Sequence, residues 1–142
     1  MRLQGWRAVL AAAPLAVLSL ALTGCDDAND NGTGSSATVT AATVSVAPVS
    51  GASSTPFVFT AEITASGSGP VTYRWVHDDG SQTDTQTLNF TGAGTQTVTH
   101  TWDSISCSTS DRSKWAQLQI LTPNAMSSAQ TAITVNAAGN CP

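Results

Sequence analysis

Side-chain polarity alternates with a period of two along most of this chain, and this pattern constrains the fold more than any other feature. In residues 57–64, one face of an extended chain carries apolar side chains, namely Phe57, Phe59, Ala61 and Ile63. Successive side chains of a β-strand point to opposite faces of a sheet, so the alternation predicts a strand with one buried face. Outside residues 1–24, no apolar stripe with helical spacing persists.

The same alternation recurs at short intervals and predicts about seven strands. We expect them near residues 39–46, 57–64, 71–75, 85–91, 97–102, 117–120 and 133–136. Residues typical of turns separate these segments at 67–70, 78–80, 92–94 and 123–124. The sequence therefore predicts an all-β, antiparallel β-sandwich over residues 38–142, with a core built on Phe57, Phe59, Tyr73, Trp75, Leu118 and Ile120.

The first 25 residues have the composition of an export signal. Arg2 and Arg7 precede an apolar run at 8–22, which is short for a spanning helix of about 20 residues. The sequence Leu22-Thr23-Gly24-Cys25 resembles the lipobox of bacterial lipoproteins. That resemblance implies that residues 1–24 are a lipoprotein signal peptide and that Cys25 is lipidated, which makes the membrane a partner. The alternatives are an uncleaved anchor, or ordinary cleavage beside an incidental cysteine.

The segment 25–37 is predicted to be a flexible tether. After Cys25 it holds no large apolar side chain, and it carries the acidic residues Asp26, Asp27 and Asp30. Such a segment cannot bury enough surface to offset the entropy lost on ordering. A flexible chain of this length reaches about 20 Å.

The charge balance excludes nucleic acid as a partner. The whole chain has a formal net charge of −4, and removal of residues 1–24 takes away Arg2 and Arg7 but no acidic residue. The remaining chain is therefore more acidic and keeps only Arg74, Arg112 and Lys114 as cations. Three cations cannot neutralise a run of phosphates.

Cys107 and Cys141 are predicted to form a disulfide bond. Once Cys25 is assigned to lipid, they are an even pair in an exported and oxidising setting. If the last two strands form a hairpin that turns near Asn124, both cysteines lie equally far from the turn and return to the same end of the sandwich. Free thiols or an intermolecular bridge are the alternatives.

No catalytic or metal-binding pattern stands out, so we expect no enzyme activity and no cofactor. The sequence has no GxSxG motif, and His77 and His100 lie in strand patterns without an obvious Ser or Cys partner. Asp78 and Asp79 are candidate Ca²⁺ ligands, but an acidic turn ending in glycine is more often a hairpin.

Two tryptophans leave the question of a binding surface open. Trp102 and Trp115 belong either to the core or to the surface, and core or edge packing is favoured because the domain has few other large side chains. A surface pair would indicate contact with carbohydrate or protein.

Several short motifs resemble bacterial immunoglobulin-like and PKD-like domains. They are Val71-Thr72-Tyr73-Arg74-Trp75, Asp79-Gly80, Gly94-Thr95-Gln96-Thr97-Val98, and the stretch from Trp115 to Asn124. The resemblance covers roughly residues 38–137 and implies an immunoglobulin-like sandwich that binds, spaces or presents without catalysis.

Together, these features predict a lipoprotein of the bacterial cell envelope, exported and anchored on the periplasmic or extracellular face of a membrane. It would present a non-catalytic immunoglobulin-like binding or structural module, and any ligand would be a protein or a carbohydrate that the sequence does not identify. An accessory scaffold subunit of an envelope protein complex is the alternative.

Overall fold

A computed structural model of the chain describes residues 36–139 and 141. This part of the chain contains nine β-strands and no helix, and therefore none that could span a membrane. The strands are β1 (Val39–Ala47), β2 (Ser50–Gly51), β3 (Phe57–Ala65), β4 (Ser68–His77), β5 (Gln86–Thr91), β6 (Gly94–Trp102), β7 (Arg112–Thr122), β8 (Met126–Ser127) and β9 (Thr131–Val135). The predicted all-β fold is thus confirmed. The proposed signal peptide, Cys25 and tether residues 26–35 lie outside the described residues.

The strands form two sheets. One sheet has the order β1-β3-β6, and the other has the order β2-β9-β7-β4-β5, with β8 added beside β7. Every pair is antiparallel except β2 with β9, which is parallel. The count is nine rather than about seven because β2 and β8 have two residues each. A two-residue strand is too short to carry a period-two signal.

One apolar core lies between the sheets and draws side chains from both. On β3, the alternation seen in the sequence is reproduced without exception, since Phe57, Phe59, Ala61 and Ile63 are fully buried. The rings of Phe59 and Trp75, which belong to different sheets, lie 6.1 Å apart. The other predicted core residues, Tyr73, Leu118 and Ile120, are also buried. This arrangement is consistent with a β-sandwich.

Two local expectations differ from the structure. Ala37, placed by sequence at the end of the tether, is buried, and its N–H donates to the Ser68 carbonyl at 2.7 Å. The predicted turn at 67–70 is mostly strand, because β4 already begins at Ser68. Pro70 is tolerated there because β4 pairs only with β5 at that point; its pairing with β7 begins at Thr72.

Asn124 joins the start of β1 to the turn after β7. Its Oδ1 accepts from the Val39 N–H at 2.8 Å, and its Nδ2 donates to the Val39 carbonyl at 2.9 Å. The turn expected at this asparagine therefore also fixes a strand of the other sheet.

Candidate functional site

The most distinctive polar feature is a pair of histidines at one end of the domain. His77 is the last residue of β4 and His100 lies near the end of β6, so the two come from different sheets. Their Nε2 atoms lie 2.9 Å apart, which is a hydrogen-bond distance. Sequence alternation places each residue on the inner face of its own strand but carries no signal for a contact between sheets.

A tight turn and two tryptophans hold the imidazoles in place. Nδ1 of His77 lies 2.9 Å from the Ser81 hydroxyl oxygen, and the His77 N–H donates to the Ser81 carbonyl at 3.0 Å. The Trp102 ring lies 4.3 Å from the His77 ring, and the Trp75 ring stacks 5.4 Å from His100. Both nitrogens of His77 thus have protein partners, and its side chain is buried.

Burial keeps both imidazoles neutral at pH 7. Burial, with a smaller contribution from the neighbouring His77, lowers the pKa of His100 to about 4 against the opposing effect of Asp103. Burial also lowers the pKa of His77, against the opposing charges of Asp79 and Asp78. Two neutral imidazoles can share one hydrogen bond, in which one Nε2–H donates to the other ring. The pair therefore acts as a polar contact between the sheets.

Asp78 is paired with a lysine of β7, whereas Asp79 accepts a hydrogen bond within the turn. Oδ2 of Asp78 forms an ion pair with Nζ of Lys114 at 2.8 Å, and Oδ1 of Asp79 accepts from the Ser81 N–H at 2.8 Å. The hydrogen bonds to Ser81 hold the pKa of Asp79 below its usual value. The described residues contain no cluster of three or more candidate metal ligands. The contacts favour the hairpin interpretation over a calcium site.

The structure joins Cys107 and Cys141 by a disulfide bond, with the Cα atoms 5.7 Å apart. The ladder between β7 and β9 pairs Arg112 with Val135, and the cysteines lie just beyond this end. The bond therefore ties the loop before β7 to the segment after β9. Further bonds hold the same loop, including Ala138 N–H to the Ser108 carbonyl at 2.8 Å.

The two tryptophans do not form a surface pair. Trp102 is buried, whereas Trp115 is partly exposed on β7. The aromatic platform that two exposed rings would provide for a sugar is therefore missing at these positions. Among the described residues, one surface hollow at 90–96 and another beside Ala37 and Pro123 are lined by no charged side chain.

Comparison with known proteins gave no match: no family model, no curated protein and no solved structure is significantly similar to this chain.

Proposed function

We propose that the domain is an immunoglobulin-like module with a non-catalytic role in binding or spacing. The observation that carries this proposal is the strand order. Constant-type immunoglobulin sandwiches place strands A, B, E and D in one sheet and C, F and G in the other. Here β1, β3 and β6 share one sheet while β4, β7 and β9 share the other, a division that matches except that β5 pairs with β4 in the second sheet and the first sheet has no fourth strand.

The packing of Trp75 gives further support. Immunoglobulin domains bury a tryptophan on strand C, and Trp75 lies on β4, the third long strand in the chain. Trp75 is paired with Leu118 on β7 and contacts Phe59 on β3. In this chain, apolar side chains therefore fill the region where antibody domains place a disulfide bond between strands B and F.

Within this class, we propose that the protein is a membrane-anchored lipoprotein of a bacterial envelope, held through Cys25. The Leu-Thr-Gly-Cys sequence after a short basic and apolar segment supports the anchor. The Cys107–Cys141 bond supports export, because disulfides persist in oxidising compartments. Two or more acyl chains hold a protein durably on a bilayer.

Labelling with a clickable palmitate tests the anchor. The full chain is expressed in a bacterium that processes lipoproteins, beside a Cys25→Ser variant. We expect the label on the wild-type chain and none on Cys25→Ser. An unlabelled wild type, or equal labelling of the two chains, would contradict the proposal.

Capture with the anchored protein tests the role of the module. Recovery of a glycan or of a protein ligand that binds the purified chain directly supports a binding role. Recovery only as part of a multi-subunit envelope complex favours the accessory scaffold instead.

A further inference from the structure

The edge strands of the two sheets differ in how far other parts of the chain cover their free backbone groups. On β1, the side chain of Asn124 covers both backbone groups of Val39, and the Thr131 hydroxyl donates to the Val44 carbonyl at 3.3 Å. On β5, the Gln96 side chain donates to the Asn89 carbonyl at 2.9 Å. β2 is only two residues long. Short edge strands and edges covered by other parts of the chain are known ways of blocking strand addition.

β6 lies at the other edge of the three-stranded sheet and lacks such protection within the described residues. Its nine residues pair with β3 on one side, and no described side chain or loop donates to or accepts from their backbone on the other. The strand contains no proline and no acidic or basic residue apart from neutral His100. A long and uncharged edge strand is a template for an added strand.

The outer face of β6 is a row of four exposed threonines: Thr95, Thr97, Thr99 and Thr101. Along β6 they alternate with Val98 and the other side chains of its inner face. Within the sheet, Thr95 already forms a cross-strand hydroxyl contact with Thr64 at 2.8 Å. Directly opposed threonines of this kind stabilise antiparallel strand pairs.

We propose that β6 pairs antiparallel with β6 of a second copy of this chain. In a twofold register centred on Val98, Thr97 faces the second copy's Thr99, and Thr95 faces its Thr101. All four threonines thus meet threonines, and no like charges oppose each other. The two three-stranded sheets become one continuous six-stranded sheet.

The small area that a β6–β6 pair buries limits the affinity of the two copies for each other. A nine-residue strand is about 30 Å long, and one strand pair buries less than the roughly 1,200–2,000 Å² of stable interfaces. The pairing is therefore weak in dilute solution. Tethering on a membrane raises the effective concentration of the copies, and this last point rests on the proposed function.

Charged variants of β6 test the pairing and its register. The full chain, purified in a density-matched detergent, is studied by sedimentation equilibrium over a wide concentration range. We expect a reversible monomer–dimer equilibrium that Thr97→Lys weakens at least about tenfold, because edge lysines block strand addition. The exposed Thr43→Lys on β1, used as a control, should leave it unchanged.

Two double variants of equal net charge separate the register from charge alone. Thr97→Lys with Thr99→Glu places a lysine opposite a glutamate twice in the Val98-centred register and should restore association. Thr97→Lys with Thr101→Glu places each charge opposite a threonine and should remain weak. Matched circular dichroism and thermal unfolding of the variants establish that all of them are folded.

Three results would overturn the inference: a wild-type chain that stays monomeric at the highest concentration, a Thr97→Lys variant that associates normally, or equal behaviour of the two double variants. The Cys25→Ser chain is measured in parallel. If it dimerises while palmitate labelling of the wild type fails, only the proposed anchor is wrong.

Discussion

At the scale of single residues, the His77–His100 contact best illustrates how this small domain tolerates buried polar groups. Each ring is packed against a tryptophan, and the two share a hydrogen bond at 2.9 Å. In such a pair, each imidazole provides the other with a hydrogen-bond partner, and no charge is introduced into the core. Its stability depends on both rings staying neutral.

The histidine pair predicts acid sensitivity. In the unfolded chain a histidine takes up a proton near pH 6.5, whereas folded His100 stays neutral down to about pH 4. The unfolded state therefore binds more protons in this window, and the free energy of unfolding should fall as the pH drops from about 6.5 towards 4. Urea unfolding at a series of pH values measures this slope.

His100→Gln is the matched variant, because glutamine can bond to His77 but does not titrate. It should flatten the pH dependence in the same window. The nearby carboxylates Asp78, Asp79 and Asp103 remain in both proteins. A slope equal to that of the wild type would assign the acid sensitivity to other groups.

At the scale of strands and turns, the sequence predicts the features that depend on local alternation, such as the buried face of a strand. It does not predict the features that depend on which strands pair. The buried face of β3 follows directly from Phe57 to Ile63. The parallel pairing of β2 with β9 and the early start of β4 at Ser68 depend on which strands lie next to them. The same reason explains why composition alone places Ala37 in the tether although it packs in the core.

Asn124→Ala should destabilise the domain by about 1–3 kcal/mol, because it leaves the buried Val39 backbone without both of its partners. Asn124→Asp keeps an acceptor for the Val39 N–H but loses the donor, so we expect an intermediate loss. Denaturant unfolding measures both. If the alanine variant is as stable as the wild type, the asparagine does not fix β1.

The Cys107–Cys141 disulfide bond, which links two loop segments, also contributes to the free energy of unfolding. A bond that closes a loop with a sequence separation of 34 stabilises by about 4 kcal/mol in the chain-entropy model. The double variant Cys107→Ser, Cys141→Ser should lose about this much unfolding free energy. The reduced wild type should behave like the double variant. Equal stability of the oxidised and reduced chains would contradict this role.

At the scale of the whole molecule, the described domain is a small two-sheet fold in which β6 is a nine-residue edge strand, and the proposed lipid anchor precedes this domain in the sequence. The strand order and the disulfide belong to the described domain, whereas the anchor follows from the lipobox resemblance at Leu22–Cys25. The sequence alone predicts this anchor because the proposed chemistry depends on four adjacent residues. The open edge emerges only once both sheets are assembled.

The intact mass of the chain extracted from bacterial membranes distinguishes a lipidated protein from one that carries no lipid. We predict a protein that begins at Cys25 and carries the additional mass of acyl chains, and a Cys25→Ser variant without that addition. A chain that retains residues 1–24, or one cleaved without any lipid, would contradict the account.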